Sequence, residues 1–269
     1  EFRRVLFRSV LRMWLMRKLM CAVAVLVLLS GVGALSACDS GSKPSGPVIN
    51  VYAAASLKGA FTAIADRYKK DNPGADVQFN FAGSSSLVEQ LTQGAKADVF
   101  ASADANNMTK AAKAGLLAHT PANFASNTLV IVTRPGNPKQ LNTFGDLARP
   151  GLNVVVCAAQ VPCGTATRKV EKIAGVELKP VSEETSVTDV LNKVTSGQAD
   201  AGVVYQTDAQ SAGDKVAKVD FPQASSAVNI YPIAVLKSSA DAAAAQRFVD
   251  LVTGDVGRQT LAQFGFAKP

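Results

Sequence analysis

The pattern of apolar and polar positions changes twice along the chain. Residues 19–29 form an uncharged apolar run, whereas residues 39–47 are polar and rich in Gly, Ser and Pro. From residue 48 onward, short apolar runs alternate with stretches in which apolar residues recur at helical spacing. Alternation of strand-like and helix-like patterns is typical of an α/β domain with a mostly parallel sheet.

The pattern predicts the following elements after residue 48. Strands are expected at Val48–Ala53, Val77–Phe81, Asp98–Ala101, Leu129–Val132, Val154–Cys157, Ala201–Tyr205 and Ile230–Leu236. Helices are expected at 57–68, around 87–91, and at Asp104–Ala114, Ala166–Ala174, Thr188–Thr195, Asp241–Leu251 and Val256–Phe264.

The first 37 residues have the pattern of an export signal. Arg17 and Lys18 precede the apolar run, and the small-residue sequence Leu35-Ser36-Ala37-Cys38 follows it. This ending resembles a bacterial lipobox, which implies cleavage before Cys38 and lipid attachment to its thiol. The alternative is an ordinary secretory signal followed by an incidental cysteine. Residues 39–47 then predict a flexible tether between lipid and domain, and we expect translation to start at Met13, Met16 or Met20.

The formal net charge of +7 does not indicate a nucleic-acid partner, because much of the excess lies in the predicted signal. Without residues 1–37, the chain retains 22 basic and 20 acidic residues. Export also places Cys157 and Cys163 in a compartment where a disulfide persists, which makes this pair a candidate for one. Two thiols and the single histidine, His119, are a poor ligand set for zinc.

Small polar residues stand at four predicted helix starts. Ser56 follows the first strand and Ser84 to Ser86 follow the second, while Cys163-Gly164-Thr165 and Ser186-Val187-Thr188 occupy the other two. Serine and threonine are ordinary N-caps, which is one interpretation of each site taken alone. The four sites taken together favour a second interpretation. Helix N-termini gathered at the carboxyl edge of the strands can surround a small anion with N–H and hydroxyl donors.

Six stretches together resemble the periplasmic molybdate-binding proteins of ABC importers, the ModA family. They are VYAAASL (51–57), FAGSSSLVEQL (81–91), ADVFASAD (97–104), SNTLVIV (126–132), AGVVYQTDA (201–209) and FGF (264–266). The resemblance implies a two-lobed periplasmic binding protein fold of type II, with a cleft between the lobes. It divides the chain into lobe 1, residues 48–128 and 230–269, and lobe 2, residues 129–229.

The same resemblance implies the ligand-binding residues. The oxyanion would be held by the hydroxyls of Ser56, Ser84 and Tyr205 and by the backbone amides of Cys163 and Val187, with Ser85 as an alternative to Ser84. Cys163 stands where a small residue such as alanine is expected, and a disulfide to Cys157 would stiffen this loop. Molybdate or tungstate would be bound as an oxyanion, without direct metal ligands and without a cofactor.

Further expectations concern partners and other candidates. The resemblance implies delivery to an ABC permease with a cytosolic ATPase, membrane attachment through Cys38, and a monomer that binds no nucleic acid. Tyr68 and Tyr231 are expected to pack, Tyr52 is a candidate for the cleft floor, and Asp98 and Asp104 are expected to satisfy turn and cap donors.

Three other functions compete with this one. A sulfate binder of the same architecture would use the same donor-only chemistry, whereas phosphate would favour an acceptor and ferric iron would favour anionic ligands. A serine hydrolase is disfavoured because the chain lacks a G-x-S-x-G sequence and has one imidazole. A transcriptional effector domain would need a DNA-binding segment where the export signal lies. We therefore expect a solute-binding protein and not an enzyme.

Overall fold

The computed structural model describes residues 46–269. The predicted export signal, Cys38 and most of the predicted tether lie outside the described residues. Gly46 and Pro47, at the end of that tether, are already hydrogen-bonded to the domain: the Gly46 N–H donates to the Gly74 carbonyl, and Pro47 accepts from the Asp76 N–H. Within this described part of the chain, no helix is long and apolar enough to cross a membrane.

Two five-stranded sheets organise the domain. The first sheet has the order β2-β1-β3-β10-β4, with strands β1 (Val48–Ala54), β2 (Asp76–Ala82), β3 (Val99–Ala101), β4 (Ala122–Asn127) and β10 (Asn229–Val235). The second has the order β7-β6-β8-β5-β9, with strands β5 (Leu129–Thr133), β6 (Val154–Cys157), β7 (Ser182–Glu184), β8 (Ala201–Tyr205) and β9 (Ala217–Val219).

Each sheet is covered by its own helices, and each sheet with its helices is one lobe. Lobe 1 contains α1 (Lys58–Asp71), α2 (Ser84–Thr92), α3 (Ala105–Lys113), α7 (Ala242–Thr253) and α8 (Asp255–Gln263). Lobe 2 contains α4 (Pro162–Ala174), α5 (Val187–Thr195) and α6 (Gln206–Ala212). A short 3₁₀ turn, Ala55–Leu57, leads from β1 into α1. The predicted two-lobed α/β fold is confirmed.

The strand directions refine the prediction of mostly parallel sheets. In the first sheet β10 is antiparallel to both of its neighbours, β3 and β4. In the second sheet β5 is antiparallel to both β8 and β9. The remaining four strands of each sheet share one direction, so both sheets are mixed. The reversed strands, β5 and β10, are the ones that enter their sheet directly from a segment of the other lobe.

The cores of the two lobes differ in composition. An aromatic cluster lies on one face of the first sheet, where the rings of Phe61, Phe79, Phe124 and Phe248 pack at centroid distances of 5.7 to 6.4 Å. The core of lobe 2 is mainly aliphatic, with many valines on its central strands. Each lobe thus has its own hydrophobic core, which is the expected arrangement for two bodies that flank a cleft.

Three strands and one α-helix of the described residues were not predicted from the sequence. They are β4, β7, β9 and α6. The first three have only partly buried or polar-containing sequences, so they lack the continuous apolar run of a buried strand. Every predicted strand and helix within the described residues is present. Helix α4 begins at Pro162, earlier than the predicted Ala166, because proline is well suited to the first turn of a helix.

Candidate functional site

A small cavity lies between the lobes, at the ends of their strands. Its volume is about 10 Å³, comparable to the space that one water-sized sphere requires. A cavity this small has room for one compact ion. Its walls are formed by Ala54, Ala55, Ser56, Gly83, Ser84 and Ala103 of lobe 1 and by Val161, Pro162, Cys163, Val187 and Tyr205 of lobe 2.

All five residues predicted to hold the ligand lie in these walls. Ser56 and Ser84 come from lobe 1, and Cys163, Val187 and Tyr205 come from lobe 2. Ser85, the alternative to Ser84, is half-buried and is not part of the wall. The structure therefore brings together side chains and amides that are separated by up to about 150 residues in the sequence.

The helix starts at the cavity are mostly uncapped. The 3₁₀ turn that contains Ser56 and the helices α2 and α4 have no side-chain hydrogen bond at their N-caps, which are Ala54, Gly83 and Val161. Only α5 is capped, by the Ser186 hydroxyl, which accepts from the Asp189 N–H. The N-capping interpretation thus holds at one site of four. The first-turn N–H groups at the other three remain available to a ligand.

The Ser84 hydroxyl is oriented by the backbone of its own lobe. It is buried and accepts a hydrogen bond from the Ala103 N–H at 2.9 Å. Because that contact occupies an oxygen lone pair, the hydroxyl proton of Ser84 is free to be donated into the cavity.

The Ser56 hydroxyl is oriented by a residue that the sequence did not single out for this role. It lies 3.0 Å from the Tyr231 hydroxyl, which in turn accepts from the Asn127 side-chain amide at 3.4 Å. With Tyr231 donating to Ser56, the serine proton is left for the cavity. Tyr231 packs in the core as predicted, but its hydroxyl also positions a cavity residue.

The Tyr205 hydroxyl has no partner among the described residues, although it is buried. Burial, with smaller contributions from Tyr231, Asp104 and Asp208, raises the pKa of this phenol well above its usual value. Burial also raises the pKa of the Tyr231 hydroxyl. Both groups therefore keep their protons at neutral pH and act as donors. An unpaired buried donor costs free energy unless a ligand accepts its hydrogen bond.

No charged side chain lines the cavity among the described residues. The donors are hydroxyls and backbone N–H groups at helix N-termini, whose dipoles carry partial positive charge. Such a set can accept an anion that presents acceptors on every side. It offers no carboxylate to accept the proton of a protonated ligand and no anionic ligand for a metal cation.

A disulfide joins Cys157 and Cys163, the pair that the sequence marked as a candidate, with a Cα–Cα distance of 5.7 Å. It closes residues 158–162 over the start of α4. Gly164 has no room for a side chain there, since a Cβ atom would lie 2.0 Å from the Ala158 carbonyl oxygen. The loop and the helix start are therefore held in close contact, which fixes the position of the Cys163 N–H.

Asp208 is a buried carboxyl next to the site. Its Oδ2 accepts from the Tyr205 N–H at 3.0 Å. Burial raises the pKa of Asp208 from 3.8 to about 7, against the opposing effect of that hydrogen bond. The folded protein therefore holds this proton more tightly than the unfolded chain does.

The raised pKa predicts a pH-dependent stability. Because the folded state binds the Asp208 proton more tightly, its contribution is fully present below pH 3.8 and is lost as pH rises to about 7. We expect Asp208→Asn to remove this decline. Urea unfolding of both proteins from pH 4.5 to 8 measures it: the free-energy difference between them should change across this range. Parallel stability curves would contradict the assignment.

The other candidates lie outside the cavity. His119 is exposed, and Tyr52 packs beside the core without lining the cavity. Asp98 accepts from the Asn50 N–H at 2.7 Å, and Asp104 caps α3 by accepting from the Asn107 N–H at 2.8 Å. Both carboxylates thus satisfy turn and cap donors, as expected.

Comparison with known proteins places this site in a family. Residues 49–267 match the family described as bacterial extracellular solute-binding protein. The molybdate-binding protein ModA of Mycobacterium tuberculosis is 57% identical over 248 residues, which cover 90% of this chain and 95% of that protein.

Two solved structures share the fold. The periplasmic molybdate-binding protein of Azotobacter vinelandii has a TM-score of 0.72 at 24% identity and covers 82% of this chain and 99% of its own. The sulfate-binding protein SubI of Mycobacterium tuberculosis also has a TM-score of 0.72, at 19% identity, and covers 83% of this chain and 87% of its own. At these identities the likeness concerns the fold alone.

A two-lobed fold with a cavity between the lobes is consistent with a solute-binding protein, and the chain belongs to the bacterial extracellular solute-binding proteins. Within this class, its identity to the mycobacterial protein places it in the ModA family. Since these relatives are solute-binding proteins, the prediction that the chain is not an enzyme is confirmed.

Proposed function

We propose that this protein captures molybdate or tungstate between its lobes and delivers it to an ABC importer. The observation that carries the proposal is the composition of the cavity: hydroxyl and N–H donors from both lobes, without a charged side chain, around space for one compact ion. A tetrahedral dianion presents only acceptors, so each of its oxygens can meet a donor. The name of the relative that is 57% identical supports molybdate as the cargo.

In this proposal the hydroxyls of Ser56, Ser84 and Tyr205 donate to the oxyanion, and so do the N–H groups of Cys163 and Val187. Cys163 and Val187 lie in the first turns of α4 and α5, where N–H groups have no partner within the helix. Lobe 1 thus contributes two hydroxyl donors. Lobe 2 contributes one hydroxyl donor and two backbone N–H groups at helix N-termini. The ligand would bridge the lobes and hold them closed, with residues 128–129 and 229–230 as the crossings between them.

Sulfate is the second candidate. The fold does not discriminate between sulfate and molybdate as the ligand, because the sulfate-binding and molybdate-binding structures have the same TM-score against this chain. The donor set also suits either anion, and the sequence relatives favour molybdate.

A thermal-shift panel of molybdate, tungstate, sulfate, phosphate and ferric citrate tests the proposal. A ligand that binds only the folded state raises the melting temperature in proportion to the logarithm of its concentration over Kd. We expect large shifts with molybdate and tungstate and small shifts with the others. A larger shift with sulfate would replace molybdate by sulfate as the cargo, and no shift with any oxyanion would refute the proposed function.

Tyr205→Phe tests the unpartnered phenol directly. The variant keeps the ring and removes the donor, so we expect molybdate affinity to fall by about 1.5–3 kcal/mol, roughly 10- to 150-fold. Isothermal titration calorimetry measures the loss. Tyr68→Phe is the matched control, because its hydroxyl donates to the Ala244 carbonyl at 3.2 Å, away from the cavity. Equal molybdate affinity in Tyr205→Phe and the unmodified protein would show that the Tyr205 hydroxyl does not bind the ligand.

We further propose that the protein is exported, held at the membrane by lipid on Cys38, and works as a monomer. The sequence of residues 17–38 supports export and lipid attachment. Lipid on a tether would keep the loaded protein near its permease. Mass spectrometry of the N-terminal peptide from the native host tests this, since an unmodified N-terminus at any residue other than Cys38 would contradict it.

A further inference from the structure

The two lobes approach each other closely at Gly83, beside the cavity. This residue precedes α2 in lobe 1 and faces the backbone of Thr185 in lobe 2. A Cβ atom added to Gly83 would lie 2.0 Å from the Thr185 carbonyl oxygen and 3.2 Å from its carbonyl carbon. The Val161 side chain, also in lobe 2, would lie 3.6 Å away. The side of Gly83 that a side chain would occupy is therefore filled by the opposite lobe.

The backbone of Gly83 does not itself require glycine. Its φ of −61° and ψ of 138° lie in the extended region that every residue adopts. Gly94 and Gly115 differ, because their φ values of 100° and 71° are those that favour glycine. None of the three heavy atoms nearest to an added Cβ belongs to lobe 1. The requirement for glycine comes from lobe 2 in the closed arrangement.

We propose that Gly83 sets how closely the lobes can approach and thereby positions the two halves of the oxyanion site. Gly83 and Val161 both line the cavity, and Thr185 lies two residues before Val187. An added methyl group would require the contact with Thr185 to lengthen by about 1.4 Å, from 2.0 Å to an ordinary van der Waals separation. The amides of Cys163 and Val187 move with that wall.

A displacement of this size separates the donors of the two lobes. Hydrogen bonds from N–H to oxygen span about 2.7–3.2 Å, so a shift of about 1.4 Å takes them beyond bonding distance. An oxyanion could then be bound by Ser56 and Ser84 or by the amides of lobe 2, but not by both. Closure would no longer be driven by the ligand, because the ligand could not bridge the lobes.

Gly83→Ala tests this inference, which rests on the proposed function. We expect molybdate affinity to fall at least about 100-fold by calorimetry, as expected when two hydrogen bonds to a charged ligand are lost. Small-angle X-ray scattering should detect compaction on adding molybdate in the unmodified protein and none in the variant. Gly145→Ala is the matched control, since a Cβ there meets its nearest neighbour at 3.7 Å, far from the cavity. It should bind and compact normally.

A second variant shows whether a loss of affinity results from impaired folding. In Gly83→Ser the new side chain is larger, so molybdate affinity should fall. Serine is also a preferred N-cap residue, so the ligand-free melting temperature of this variant should match or exceed that of the unmodified protein. If the unmodified protein binds molybdate and either folded variant binds equally well or compacts normally, Gly83 does not set closure. If the unmodified protein does not bind molybdate, the proposed function itself fails, whatever the variants do.

Discussion

Replacing Ser84 by alanine is expected to weaken both binding and folding. The hydroxyl that we assign to the ligand is lost, which should reduce molybdate affinity by about 1.5–3 kcal/mol, roughly 10- to 150-fold. The same hydroxyl accepts from the Ala103 N–H, and that buried donor would be left without a partner. This second loss should lower the free energy of unfolding by about 1–3 kcal/mol.

Calorimetry and urea unfolding of the ligand-free protein measure the two effects separately. Ser85→Ala is the matched control, because this adjacent serine is half-buried and outside the cavity wall. We expect the control to change both quantities by less than about 0.5 kcal/mol. A loss of affinity in Ser85→Ala with none in Ser84→Ala would exchange the roles of the two residues.

Replacing Phe248 by alanine is expected to lower the free energy of unfolding by about 3–5 kcal/mol. The ring is fully buried in lobe 1. It meets the rings of Phe61 at 6.1 Å, Tyr68 at 5.7 Å and Phe79 at 6.4 Å. Its removal leaves a cavity in a cluster whose members come from four separate elements, which limits how far the surrounding side chains can collapse to fill it.

Urea unfolding monitored by circular dichroism measures this effect. Val256→Ala, on α8 in the same lobe, is the control, because Val256 is 38% exposed and its truncation should cost less than about 0.5 kcal/mol. If Phe248→Ala unfolded at the same urea concentration as the control, the aromatic cluster would not be a main source of stability in lobe 1.

The sequence predicted those elements whose own residues carry a strong pattern. Strands such as β5 and β8 are buried throughout, and their apolar runs are visible without knowledge of the fold. Strand β4 begins exposed and ends in the buried polar residues Ser126 and Asn127. It forms because it pairs with β10, about one hundred residues later. A pairing at that distance in sequence leaves no local signal.

The candidate site likewise combines features that the local sequence predicts with contacts that it does not predict. Polar residues at helix starts can be recognised locally, and a family resemblance chose Ser56 and Ser84 among them and added Tyr205 at the end of a strand. The contact between Ser56 and Tyr231 joins residues 175 positions apart, and the contact between Gly83 and Thr185 joins the two lobes. Neither contact follows from the pattern around one residue, because each depends on how distant segments meet.

The position of β10 in the first sheet determines the order in which the lobes can be completed as the chain emerges, N-terminus first, into the compartment where it folds. This strand lies between β3 and β4, yet it comes from residues 229–235. The second sheet uses only residues 129–219. A chain that emerges N-terminus first therefore has every strand of the second sheet while the first sheet still lacks the strand between β3 and β4. Lobe 2 can fold first, and the N-terminal segments of lobe 1 must wait, with an unpaired edge, for the C-terminal residues that join them.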